Sequence, residues 1–121
     1  MRVDSSNVNE FKDLDIHDAE LIDINCNYQS HEVSISAILN IPKQKKQMIH
    51  FCFKEFSFFS ISCEEPWGSG IYFFEATAKD AALESEILDG QYAKMNFEFL
   101  LNSGDRINIT ASYVEWNLEN I

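Results

Sequence analysis

Residues 95–114, MNFEFLLNSGDRINITASYV, decide the fold class, because they hold two runs of alternation around one turn. Met95, Phe97, Phe99 and Leu101 alternate with Asn96, Glu98 and Leu100. Ile107, Ile109, Ala111 and Tyr113 alternate with Asn108, Thr110, Ser112 and Val114. Successive side chains leave a β-strand on opposite faces, so period two marks a half-buried strand. Asn102-Ser103-Gly104-Asp105 supplies turn residues, and the pair reads as an antiparallel hairpin.

Working outward, the same period recurs. Ile22, Ile24, Cys26 and Tyr28 alternate with Asp23, Asn25, Asn27 and Gln29. After the polar QSHE, Val33, Ile35, Ala37, Leu39 and Ile41 return as a second strand, which Pro42 ends. In MIHFCFKEFSFFSIS, residues 48–62, Ile49, Phe51 and Phe53 share one face. The phase slips at Lys54-Glu55, and Phe56 and Phe58 continue on the opposite parity; a bulge or tight turn there keeps both aromatic sets facing the core. IYFFEAT, residues 71–77, resumes as a strand. Residues 5–15 carry Val8, Phe11 and Leu14 behind a capping-box-like Asn7 and Glu10 and read as a short helix, and residues 79–90, rich in helix formers and ending at Gly90, read as a short helix or a long polar loop. Six or seven antiparallel strands with one or two short helices predict a mainly-β sandwich or half-barrel, in a single domain over residues 1–121.

Charge and composition narrow the function classes. A chain of 121 residues with 45% apolar residues and ten Phe can bury a core without metals or disulfides. Twenty acids against nine bases give a formal net charge of −11, and such a surface repels phosphates. Nucleic acid and anionic membranes are therefore not the expected partners, and a cationic protein is. Lys43, Lys45 and Lys46 form the one basic cluster, read as a solvated turn before an anion site. MRVDSSNVNEF has no apolar leader segment, and no run approaches the roughly 18 apolar residues of a membrane span, so a cytoplasmic location is expected. Cys26, Cys52 and Cys63 are an odd count without C-x-x-C spacing, which supports neither a disulfide framework nor a zinc site and suggests core or near-core residues. No cofactor is expected.

Two stretches invite functional readings. In His17-Asp18-Ala19-Glu20, a histidine beside two carboxylates could ligate a metal or act as a general acid/base pair, with His31 or His50 as the histidines that would have to converge on it. The structural alternative carries more weight. An Asp ahead of a strand accepts hydrogen bonds from the N–H groups that follow, and a neighbouring His can bridge to a second strand. In EEPWGSG, Trp67 sits between Pro66 and Gly68 beside Glu64 and Glu65. It reads as a cap on the aromatic core or as an exposed anchor for a basic partner. His50 and Cys52 share one strand parity, which a Cys/His enzyme could use, but packing is the preferred reading; Tyr113 and Trp116 read as core or edge residues. No Ser in a strained Gly-flanked turn supplies a nucleophile.

The pieces IHDAELIDI (16–24), IHFCFKEFSFFSI (49–61), PWGSGIYFF (66–74) and DRINITASYVEW (105–116) follow one another in an order that resembles a group of small bacterial β-rich proteins of unknown function with an H-D-[AS]-x-[LI] corner. Some similar small acidic proteins are immunity proteins of bacterial toxin systems, so the resemblance implies a protein partner; it carries over no catalytic residues. The leading expectation is a non-enzymatic acidic binding protein, immunity-like, that docks a basic protein, with Trp67, Glu64, Glu65, His17, Asp18 and Glu20 as candidate contacts. The alternatives are a small hydrolase or metal-dependent enzyme using His17 with Asp18 or Glu20, and a small-ligand carrier with an apolar cavity.

Overall fold

In the computed structural model, residues 2–3, 9–12, 14, 16–41, 44–62, 71–80 and 95–120 are described. They form nine strands and one helical turn: β1 (Arg2–Val3), α1 (Asn9–Lys12), β2 (Glu20–Asn27), β3 (Glu32–Leu39), β4 (Gln47–Lys54), β5 (Phe58–Ile61), β6 (Phe73–Asp80), β7 (Met95–Leu101), β8 (Arg106–Ala111) and β9 (Tyr113–Asn120). The strands make two antiparallel sheets, a five-stranded one in the order β1-β9-β4-β3-β2 and a four-stranded one in the order β5-β8-β7-β6. The sheets do not close into a barrel, and the architecture is a β-sandwich. No helix among the described residues is long and apolar enough to cross a membrane.

The count exceeds the expected six or seven because β1 adds a strand and two stretches each fold across from one sheet to the other. Residues 47–61 and 106–120 form one antiparallel ribbon, in which β4 pairs with β9 and β5 pairs with β8. The ribbon bends at Glu55, whose φ is 55°, and at Ser112, whose N–H donates to the Lys54 carbonyl at 3.0 Å. The bend at Ser112 reverses which parity faces inward, whereas across Glu55 the odd positions stay inward, Phe53 before it and Phe59 after it. Ile107, Ile109 and Ala111 are buried before Ser112, and Val114 and Trp116 after it, so Tyr113 lies on the outer face and not with the Ile107 set. At Glu55 the expected turn is present, and Phe56 packs against the core. Phe58, however, is 53% exposed, because it pairs with Thr110 on the outer side and Phe59 takes the inward place.

β2 departs from simple alternation in a similar way. A bulge between Leu21 and Asp23 leaves Leu21 and Ile24 inward, while Ile22 is exposed as the extra residue. Cys26 and Tyr28 are exposed too, at the end of an edge strand. β6 carries a matching bulge between Phe73 and Glu75, which exposes Phe74. Lys79 and Asp80 belong to β6 and not to a helix; residues 81–90 lie outside the described residues.

The core is aromatic. Phe11, carried by the single turn α1, is inserted between the sheets, with its ring 5.2 Å from Phe97, 5.8 Å from Phe99 and 6.1 Å from Phe51. Phe53 stands edge-on to Phe97 at 5.0 Å, and Phe73 lies 5.1 Å from Phe99. A four-residue helix has no stability of its own in water, so burial of Phe11 is what holds α1 in place.

Candidate functional site

The corner at residues 16–20 joins the free edges of the two sheets through its backbone. Ile16 and Ala19 are buried, and a hydrogen bond from the Ala19 N–H to the Ile16 carbonyl closes the turn at 2.9 Å. The Asp18 N–H donates to the Phe73 carbonyl at 2.8 Å, the Phe73 N–H donates to the Ala19 carbonyl at 2.9 Å, and the Leu21 N–H donates to the Ile71 carbonyl at 2.9 Å. Asp18 adopts φ 65°, a left-handed conformation that Asp tolerates better than most residues. The bridge between strands is thus made by main chain, and the expected side-chain bridge through His17 is not. His17 and Asp18 are both more than half exposed and face each other at 3.3 Å, with the His17 ring 5.7 Å from Phe74. Glu20, half-buried, opens β2 opposite Ile38.

His31 lies in the β2–β3 turn, at the far end of β2 from this corner, and His50 lies on the outer face of β4. Among the described residues no three His, Cys, Asp or Glu side chains are arranged to hold a metal. Trp67, Glu64, Glu65 and Cys63 lie outside the described residues, as do Pro42 and Lys43.

A different constellation occupies the outer face of the five-stranded sheet. The ladder places Ser36 beside His50 and His50 beside Asn117. His50 Nε2 lies 2.9 Å from Glu119 Oε2, and His50 Nδ1 lies 2.9 Å from Ser36 Oγ. A carboxylate only accepts, so Nε2 carries the hydrogen; in the neutral ring Nδ1 then accepts the Ser36 hydroxyl. One strand position along, the Lys54 ammonium donates to Glu32 at 2.7 Å, and the Cys52 thiol points to the other Glu32 oxygen at 3.8 Å. The Lys54 hydrogen bond holds the Glu32 carboxyl below its ordinary value, and the same bond raises Lys54. Burial pushes the Cys52 thiol up, which disfavours the thiolate. His50 and Cys52 are surface-facing, half-buried residues, and not the packing residues that their place in a Phe-rich strand suggests.

Ser36, His50, Cys52 and Lys54 line an open groove of about 420 Å³, with Ser34, Glu115 and Asn117 on its flanks. The Ser36–His50–Glu119 chain has the residue types of a hydrolytic triad, but its setting differs. β3 and β4 are interior strands of the sheet, so their N–H groups run sideways into neighbouring ladders. Acyl transfer needs N–H donors aimed at a developing oxyanion, and the strands flanking Ser36 present none on this face.

Charge divides the two faces. The outer face of the five-stranded sheet carries Glu20, Asp23, Glu32, Glu115 and Glu119 against Arg2 and Lys54. The outer face of the four-stranded sheet carries Glu75 and Glu98 against Lys79 and Arg106, with Arg106 bonded to Glu98 at 2.6 Å. The acidic excess on the sheets therefore sits on one face. At its end, Tyr28 is 80% exposed and forms a loose cluster with His31 and Phe56, with ring centroids 6.2 to 6.4 Å apart. Alternation groups Tyr28 with Ile22, Ile24 and Cys26, and its place past the end of β2 exposes it.

No known protein-family description matches the chain, and no curated protein matches it.

Proposed function

We propose that this chain is a non-enzymatic binding domain that docks a basic protein through the outer face of its five-stranded sheet. The observation that carries the reading is the charge division between the faces, five carboxylates against two cations on one and a balance on the other. An acidic face speeds encounter with a cationic partner and penalises anionic ones. Tyr28 adds an exposed aromatic of the kind that anchors interfaces. In its sharper form, suggested by the resemblance to immunity proteins, the partner is a cytoplasmic enzyme whose cationic active-site groove the acidic face covers. The interior favours this over a ligand carrier, since Phe11, Phe51, Phe53, Phe97 and Phe99 occupy the space between the sheets.

The test is amide chemical-shift mapping with octa-arginine as a cationic probe, at low and high salt. The expected perturbations fall on β2, β3, β4 and β9 and fade as salt screens the attraction. Perturbations centred on β6, β7 and β8, or insensitive to salt, would contradict the proposal.

A further inference from the structure

We infer that the groove around His50 is a receptor for a single arginine side chain of the docked protein, a site that rests on the basic-partner reading above and gives it one specific contact. Three features of the groove lead there. First, its lining offers acceptors at separate points: the Ser34 and Ser36 hydroxyl oxygens, the Asn117 side-chain carbonyl and the Glu115 carboxylate. A guanidinium presents five N–H donors in one plane and can reach several such acceptors together, whereas an ammonium concentrates three donors at one point.

Second, the charges already in the groove are committed, with one exception. Lys54 is held by Glu32, and beside the groove Glu119 is held by His50. Glu115 sits opposite Cys52 in the ladder, is exposed, and makes no ion pair within 4.0 Å among the described residues, its charge reaching Lys54 only through space. A cation entering the groove therefore meets an available carboxylate, while an anion meets a lysine already neutralised.

Third, the hydrogen-bond chain sets the polarity of Ser36. With the ring neutral and Nε2–H directed to Glu119, the Ser36 hydroxyl gives its hydrogen to Nδ1 and leaves its oxygen lone pairs to the groove. Ser36 is thereby an acceptor for an incoming N–H. The same face already holds one guanidinium: Arg2 of β1, in register with Glu115, lies 3.9 Å over the Tyr113 ring. Arginine is also enriched at the centres of protein interfaces.

The test uses the full chain and three capped Gly/Ser peptides that carry one arginine, one lysine or one citrulline, followed by amide shifts at low salt. The arginine peptide is expected to perturb Ser34, Ser36, His50 and Asn117, more strongly than the lysine peptide, with citrulline near baseline. Glu115→Gln is expected to weaken the arginine peptide about fivefold, in line with the loss of one partly solvated charge contact, and Ser36→Ala to reduce the preference for arginine over lysine. Both positions face solvent, and overlay of the remaining amide spectrum checks that each variant keeps the fold. Equal binding of citrulline, or no change in Glu115→Gln, overturns the inference. If the arginine peptide maps instead to Glu20 and Asp23, the groove is not the receptor while the basic-partner reading stands. If neither this peptide nor octa-arginine binds anywhere on the face, both fall.

Discussion

Replacing Phe11 with Ala tests how the sandwich is held together. Phe11 is 1% exposed and meets three other rings, two of them edge-on. Burial of a side chain of this size stabilises by about 1.5–3 kcal/mol, and favourable ring pairs add about 0.5–1.5 kcal/mol. With the cavity left behind, a Phe→Ala change in a core costs about 3–5 kcal/mol. α1 has too few residues to persist alone, so its amides should also lose protection from hydrogen exchange. The informative comparison is Phe58→Ala. Hydrophobic alternation assigns Phe58 to the core, yet it is 53% exposed on the outer side of β5, where substitutions cost about 0.5 kcal/mol or less. Urea unfolding followed by circular dichroism separates the two. With a slope of roughly 2 kcal/mol per molar, Phe11→Ala lowers the midpoint by about 2 M and Phe58→Ala by a few tenths. If Phe58→Ala costs as much as Phe11→Ala, the description of the core is wrong.

Three further outcomes follow from local geometry. The Glu32 carboxyl should titrate below its ordinary value of 4.5, and Lys54→Met should return it toward that value, as read by side-chain carboxyl NMR. Because the folded value is depressed, the stability contributed by the Glu32–Lys54 pair is present above the unfolded carboxyl value and is lost as pH falls through the folded one; a Glu32 midpoint above 4.5 contradicts this. At Asp18, with φ 65°, Gly should be tolerated and Val should lower stability by about 1–2 kcal/mol, measured by thermal melting; equal tolerance of both would refute the left-handed corner. Cys26, exposed, should be alkylated about tenfold faster than Cys52, whose thiol is half-buried with its thiolate disfavoured, as followed by peptide mass mapping; faster labelling of Cys52 would contradict its placement.

Much of the fold is readable from alternation where a strand stays in one sheet with one face dry. β3 and β7 follow their patterns from end to end, with Val33 to Leu39 and Met95 to Leu101 inward. Alternation does not report a change of sheet. The chain from Arg106 to Asn120 keeps nearly continuous β-character through Ser112, yet the inward parity switches there from Ile109 and Ala111 to Val114 and Trp116. Bulges are equally silent, and they alone explain why Ile22 and Phe74, two large apolar residues in strands, are exposed. Both bulges flank the backbone bonds that join β2 to β6, where bending lets the two edges meet.

The candidate site was less legible still. Ser36, His50 and Glu119 come from three strands, 14 and 69 residues apart, and only the register of the ladder aligns them. Each is an ordinary outward polar residue in sequence. His17 and Asp18 stood out because they are adjacent, but adjacency in a turn exposes both and leaves the joining of strands to the main chain.

The central claim, that one face docks a basic protein, is tested most directly by affinity capture from the native cell with two variants of equal charge. Asp23→Asn with Glu115→Gln removes two carboxylates from the face of the five-stranded sheet, and Glu75→Gln with Glu98→Gln removes two from the other. The account predicts a basic partner that is kept by the second variant, weakened by the first, and released from the unaltered chain by salt. A partner retained equally by both variants, or one with an acidic binding surface, contradicts it.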